Sequence, residues 1–150
     1  MPEKRTVEKA KEDLREGKSP TTAAGEFVHE EMDHIREGKH GARSTKQAIA
    51  IGLSKARRAG VPLKPPRKGQ TSRRTRRSAE RAYEVGQKKR KPRSPSKRRA
   101  RATSRALRRE GRRAASGKAL ARQARSAAAR RGRRSRSAAA RRGARTRARR

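Results

Sequence analysis

The chain has 150 residues, and its 49 Lys/Arg against 13 Asp/Glu give it a formal charge of +36. Only 28% of the residues are hydrophobic, and Phe27 and Tyr83 are the only aromatic side chains. This composition excludes one large apolar core, because too little apolar surface is available to offset the entropy of the chain. The absence of cysteine excludes a disulfide framework and a thiolate metal site. No apolar run is long enough to indicate a standard secretion signal or a membrane span.

The charge is divided unevenly along the chain. Residues 1–60 carry 13 Lys/Arg and 10 Asp/Glu, whereas residues 61–150 carry 36 Lys/Arg and 3 Glu. A segment of that charge repels itself and is compact only beside a polyanion that neutralises it. We therefore expect a nearly neutral module followed by a basic arm, with the division near residue 61.

The first half of the module has the pattern of two short amphipathic helices. Apolar residues recur at helical spacing in segments 6–16 and 20–37. Glycines that can end a helix, Gly17 and Gly38, follow these segments. Ser19 is the expected N-cap of the second helix, and the proline after it suits a first helical turn.

The clearest local signal predicts a third helix over residues 45–59. Ser44 to Gln47 match a capping box, and an apolar run follows. Gly60 stands where a Schellman motif places its glycine, and Pro62 cannot continue the helix. The expected core of the module consists of eight side chains: Leu14, Phe27, Val28, Met32, Ile35, Ile49, Ile51 and Leu53.

Beyond the module the composition changes. We expect a proline-rich linker over residues 61–71 and a segment that can form a basic helix over residues 72–86. Residues 87–150 are rich in Arg, Ala and Ser, a composition typical of a disordered tail. The predicted fold class is mostly α: a two- or three-helix module over residues 1–60, followed by a largely disordered basic tail.

The tail contains an internal repeat. Residues 125–132 (RSAAARRG) recur as residues 136–143, a period of 11 residues. Eleven residues make about three helical turns, so on one helix the arginine pairs would return to nearly one face. Expansion of GC-rich codons explains the repeat equally well.

The basic arm predicts a protein that binds nucleic acid. Each Lys or Arg that meets a phosphate releases condensed counterions, and arginine forks bidentately onto phosphate. We expect duplex DNA to be bound without sequence specificity and compacted, as by a cytoplasmic nucleoid-associated or linker-histone-like protein. The expected phosphate contacts are Arg73, Arg74, Arg76, Arg77, Lys97, Arg98, Arg99, Arg108, Arg109, Arg112, Arg113, Arg130, Arg131, Arg141 and Arg142.

Other partners are weighed against duplex DNA. The scarcity of aromatic side chains disfavours single strands, whose bases stack on aromatic platforms. Structured RNA stays open, as the partner of an RNA- or ribosome-associated protein. A third alternative is a protein-interaction module over residues 6–60, for a partner or for self-association, which the basic arm only localises. Membrane binding is disfavoured because the basic stretch 72–99 lacks a bulky apolar face.

The sequence does not indicate an enzyme, a cofactor, a small-molecule substrate or a metal site. His29 and His34 superficially resemble a zinc-hydrolase helix, but they are five residues apart and point about 140° away from each other on a helix. His40 follows a glycine break, and solvated histidines are expected. Residues 38–44 form a glycine-rich loop before a helix, where an anion contact and a plain turn both stay open.

One block of sequence resembles a known family. It consists of Gly25-Glu26-Phe27-Val28 and the run from Arg36 to Gly60, REGKHGARSTKQAIAIGLSKARRAG. It resembles, over residues 19–65, an uncharacterised bacterial domain-of-unknown-function family of small basic proteins. The resemblance implies relatives, but no mechanism and no catalytic residues. The tail is similar in composition to bacterial linker-histone-like proteins, which compact DNA.

Overall fold

The computed structural model describes residues 2–148 and contains seven α-helices in that range. The chain forms two compact units, with the boundary after Ala115. The only β-structure in the described range is an isolated bridge between Lys68 and Thr71. The helices are α1 (Lys4–Arg15), α2 (Pro20–Arg36), α3 (Thr45–Arg58), α4 (Arg73–Gly86), α5 (Lys97–Arg109), α6 (Gly117–Arg130) and α7 (Arg133–Ala148), with a 3-10 turn at Arg113–Ala115.

The capping signals predicted for α2 and α3 are confirmed. The hydroxyl oxygen of Ser19 accepts a hydrogen bond from the backbone N–H of the third residue after it, and the hydroxyl of Ser44 does the same at α3. Gly60 has φ +100°, and the N–H of Val61 donates to the carbonyl of Ala56 at 3.2 Å. This pair is the Schellman motif that the sequence predicts at the end of α3.

The hydrophobic core is small and is built mostly from alanine. Of the eight side chains expected in the core, Phe27, Met32 and Ile35 are buried. The other five are only partly buried: Leu14, Val28, Ile49, Ile51 and Leu53. The remaining buried apolar side chains are Ala10, Ala23, Ala24, Ala42, Ala48, Ala56, Val61, Ala79, Ala82, Ala114 and Ala115. Small side chains fill this core because its helices approach one another closely.

Glycines occupy two of the close approaches between helices. A Cβ atom on Gly52 of α3 would lie 2.8 Å from the Cα atom of Val28 on α2. A Cβ atom on Gly86 of α4 would overlap the carbonyl oxygen of Arg57 on α3. The helix over residues 72–86 therefore packs directly against the end of α3, and its Ala79 and Ala82 are buried.

The expectation of a disordered tail from residue 87 is wrong for the described residues. The helices α5, α6 and α7 occupy most of residues 97–148. The hydroxyl groups of Ser96 and Ser116 cap α5 and α6 by accepting backbone N–H groups. These residues have few large apolar side chains, but Ala and Arg are both strong helix formers and the serines stand at cap positions.

The end of α5 and the turn after it return to the N-terminal helices. We call residues 107–115 the anchor. The N–H of Gly41 donates to the carbonyl of Leu107 at 2.8 Å, and the hydroxyl of Thr45 donates to the carbonyl of Ala114 at 2.7 Å. Ala114 and Ala115 are buried at the end of the anchor. The first compact unit therefore includes much of the chain beyond residue 60.

The internal repeat does not form one arginine-lined helical face. The first copy begins in α6 and extends two residues past its end, and the second lies within α7. Arg131 between them is extended, with φ −82° and ψ 126°. The guanidinium of Arg136 holds this break by donating to the carbonyls of Ala128 and Arg131, each at 3.1 Å. The shared face expected for the arginine pairs is thus excluded by the break.

No helix among the described residues is both long enough and apolar enough to cross a membrane.

Candidate nucleic-acid interface

The most basic part of the first compact unit is a segment held at both ends. We call residues 88–109 the basic segment; it contains 12 Lys/Arg and no Asp/Glu. Just before it, the side-chain amide of Gln87 donates to the carbonyl of Gly60 at 3.1 Å. At its other end its last three residues, 107–109, belong to the anchor. The segment is therefore positioned by the N-terminal helices although its own residues are almost all exposed.

One face of α5 carries a stripe of arginines. Arg98, Arg101, Arg105 and Arg109 recur at intervals of three or four residues, so they project from the same side of the helix. All four are exposed. The stripe spans about 16 Å at a rise of about 1.5 Å per residue. We call these four residues the arginine stripe.

The opposite face of α5 lines a cleft of about 430 Å³. Its apolar lining includes Ala100 and Leu107, and the cations Lys39, Arg99 and Arg108 also line it. The carboxylate of the neighbouring Glu37 raises the pKa of Lys39 by accepting a hydrogen bond from its ammonium group. The loop before α3, where the sequence left an anion contact open, therefore contributes a cation to the same cleft as α5.

The structure brings together one third of the residues predicted to contact phosphate. Lys97, Arg98, Arg99, Arg108 and Arg109 all lie on α5. Arg101 and Arg105 are not among the predicted contacts, because neither has an arginine beside it in the sequence. Helical spacing within residues 97–109 is the signal that would have found them. Two further predicted contacts follow in the anchor: Arg112 and Arg113.

The four predicted contacts on α4 lie in its first turns, at residues 73–77. Arg76 is partly buried and forms an ion pair with Glu80, with 3.5 Å between Nε and Oε1. The other three are exposed: Arg73, Arg74 and Arg77. Neither α4 nor α5 has an acidic residue in its first turn. Cations at a helix N-terminus oppose the helix dipole, so an anion bound there relieves an unfavourable arrangement.

The remaining predicted contacts belong to the second compact unit. Arg130 ends α6, and its guanidinium donates to the hydroxyl of Ser126 at 3.0 Å. Arg131 lies in the break, and Arg141 and Arg142 lie on α7. These four arginines are exposed, and they lie on three different parts of the unit.

The two halves of the chain differ in how their charges are paired. Among the described residues beyond 60, only Arg76 and Arg90 form ion pairs with carboxylates. The N-terminal helices pair their charges internally; for example, Lys18 lies 2.6 Å from Asp13. The described cations of the basic half therefore retain charge that a polyanion could neutralise.

Comparison with known proteins finds a match for the N-terminal region only. Residues 4–69 match the model of a family of unknown function, DUF6496. The match covers α1, α2, α3 and most of the linker after them, and it agrees with the resemblance to an uncharacterised domain. It does not include the basic segment. No curated protein and no solved structure matches the chain.

Proposed function

We propose that the protein binds duplex DNA without sequence specificity and compacts it, as a nucleoid-associated or linker-histone-like protein does. The observation that carries the proposal is the arginine stripe, an exposed row of four cations on a helix with no acidic residue. Phosphates are the partner that such a row fits best, because each contact releases condensed counterions and gains entropy.

Binding independent of sequence is supported by the side chains that the basic segment presents. It contains no Asn or Gln, which pair with adenine edges, and its cations outnumber every other residue type. Phe27 is fully buried and Tyr83 is partly buried, so neither provides an open platform for stacked bases. These features favour the backbone of a duplex over the bases of a single strand.

Compaction is supported by the presence of basic helices in both compact units. The arginine stripe lies in the first unit, and α6 and α7 carry further exposed arginines in the second. A chain with two such surfaces can engage two stretches of duplex, and the second contact forms at a high effective concentration. Bridging of this kind draws DNA segments together.

The proposal is tested by removing the arginine stripe from the full-length protein. The variant R98Q/R101Q/R105Q/R109Q loses four cations from α5, and a control variant, K4Q/R5Q/K11Q/R15Q, loses four exposed cations from α1. Duplex DNA affinity is measured by gel shift or fluorescence anisotropy across a salt series. We expect the slope of log K against log salt to become shallower by about 3 to 4 for the stripe variant, at about 0.9 per phosphate contact. The control is expected to keep a slope close to that of the wild type.

Two results would contradict the proposal. Equal losses in both variants would show that total charge, rather than the stripe, sets the affinity. Tighter binding of structured RNA than of duplex DNA of equal length, at the same salt concentration, would support the RNA-associated alternative instead.

A further inference from the structure

Three potential metal ligands meet between α2 and the loop that follows it. Glu31, His34 and His40 each offer one ligand atom, and these atoms lie within 4.8 Å of one another. The imidazole rings of His34 and His40 have their centroids 6.1 Å apart. Glu31 and His34 are three residues apart on one face of α2, and the loop brings His40 to the same place. Sequence spacing relates His34 only to His29, five residues before it, and does not indicate this group.

The ring of His40 is oriented by a backbone hydrogen bond. Its Nδ1 atom lies 3.1 Å from the carbonyl oxygen of Gly41, which can only accept, so Nδ1 carries a proton. Its Nε2 atom lies 3.3 Å from Oε1 of Glu31, but Oε1 has no hydrogen-bond partner. Two ligands bound at about 2.1 Å to one tetrahedral Zn²⁺ are separated by about 3.4 Å. The spacing of Nε2 and Oε1 thus matches that of two ligands of one ion.

His34 has an outer partner of the same kind. Its Nε2 atom lies 3.0 Å from Oε1 of Glu3, so a proton on Nε2 leaves Nδ1 as the unprotonated nitrogen. Metal-binding histidines usually donate their second ring nitrogen to a carboxylate or a backbone carbonyl. Here His34 has the carboxylate of Glu3, and His40 has the carbonyl of Gly41.

Two buried carboxylates beside this group, Glu30 and Glu31, share one lysine. The Glu31 side chain is 0% exposed; its Oε2 forms an ion pair with the ammonium of Lys55 at 2.7 Å, and its Oε1 has no hydrogen-bond partner. The same ammonium donates to Oε1 of Glu30 at 3.3 Å, and the backbone N–H of Glu3 donates to Oε2 of Glu30 at 3.2 Å. One lysine thus serves two buried carboxylates, and burying an uncompensated carboxylate is costly. A divalent cation held by Oε1 would supply the missing charge.

We propose that Glu31, His34 and His40 bind a Zn²⁺-type divalent cation. Two imidazoles and one carboxylate form a donor set that suits Zn²⁺ and does not suit Mg²⁺, which prefers oxygen ligands in an octahedron. The ion connects α2 to the loop before α3. Since Gly41 in that loop also donates to Leu107, the cation fixes the loop on which the anchor rests.

The test measures metal binding to the untagged full-length protein after removal of metal by a chelator. Zn²⁺ alone is titrated by calorimetry or against a chromophoric chelator, with Mg²⁺ as the comparison. We expect one saturable Zn²⁺ site and no comparable Mg²⁺ site. H34A and H40A are expected to weaken Zn²⁺ binding at least tenfold. E3Q, which changes the outer partner of His34 and the ion pair of Glu3 with Lys39, should weaken it about tenfold.

The matched control is H29A, because the side chain of His29 is 74% exposed on the same helix and pairs only with Asp33. It should bind Zn²⁺ as the wild type does. Binding of Co²⁺ should give the visible absorption of a tetrahedral site in the wild type and in H29A, but not in H40A. His40 lies in the loop before α3 and is not one of the buried core residues, so H40A is expected to fold and tests the site directly.

The proposal is overturned if the protein shows no saturable Zn²⁺ binding, or if H29A weakens binding as much as H40A does. The first result would mean that Lys55 offsets the buried charge of Glu31 without a metal ion. The second would mean that exposed histidines bind zinc adventitiously.

Discussion

Two glycines inside helices differ in their surroundings, and this difference decides whether an added side chain can be accommodated. Gly52 lies where α3 crosses α2, and a Cβ atom there would stand 2.9 Å from the carbonyl oxygen of Phe27. Gly25 lies inside α2, and a Cβ atom there would have no heavy atom within 4 Å. Glycine is unfavourable in both helices by its own propensity, so only Gly52 has a packing reason to remain.

The substitution Gly52→Ala is expected to destabilise the protein by about 1–3 kcal/mol. The new methyl group meets backbone atoms of α2, which cannot turn away as a flexible side chain can. Gly25→Ala is the matched control, and it should stabilise the protein by about 0.5–1 kcal/mol through helix propensity alone. Urea unfolding followed by circular dichroism measures both. Stabilisation by both substitutions would show that the two helices are not in close contact.

At the scale of elements, the anchor is the contact that most changes how the chain is organised. The bond from Thr45 to Ala114 joins the start of α3 to a turn 69 residues later. The guanidinium of Arg36, at the end of α2, adds a bond to the carbonyl of Ala115 at 3.1 Å. These bonds link the family-matched helices to a stretch that the family model does not cover.

The substitution Thr45→Val removes the hydroxyl group and leaves the buried carbonyl of Ala114 without its donor. We expect a loss of about 1–3 kcal/mol, the typical cost of an unsatisfied buried group. Hydrogen exchange should become faster at the amides of Gly41 and Ala42, which donate to the anchor. Thr103→Val on exposed α5 is the control and should change stability by less than about 0.5 kcal/mol. Unchanged exchange in Thr45→Val would show that this bond does not hold the anchor.

At the scale of the whole molecule, the large net charge predicts repulsion among its cations. The formal charge of +36 is concentrated beyond residue 60, where few of the described cations are paired. Salt screens such repulsion, since the Debye length falls from about 30 Å at 0.01 M to about 10 Å at 0.1 M ionic strength. Salt also weakens surface ion pairs, but each of these contributes little.

We therefore expect the melting temperature to rise by several degrees between 10 and 300 mM NaCl, because screening relieves repulsion between like charges. Thermal unfolding followed at 222 nm measures the change. The R98Q/R101Q/R105Q/R109Q variant has four fewer positive charges and should show a smaller rise. A melting temperature that falls with salt would mean that ion pairs contribute more than repulsion does.

The sequence predicts those features that depend on neighbouring residues. The caps at Ser19 and Ser44 and the Schellman motif at Gly60 involve bonds within a few positions, and each is confirmed. The alanine-rich core depends on how closely helices approach, which periodicity does not report. The anchor and the group of Glu31, His34 and His40 depend on contacts between separate elements. The arginine stripe follows from helical spacing, but it can be identified only after residues 97–109 are recognised as a helix.

The attachment of the basic segment at both ends has a thermodynamic consequence. A polyanion on a free tail would leave the folding equilibrium of the N-terminal helices almost unchanged. Here the bound segment continues into Ala114 and Ala115, which are buried against α2 and α3. Any ligand that binds only the folded form shifts the folding equilibrium towards that form. DNA held by α5 would therefore stabilise the family-matched helices, although it need not touch them.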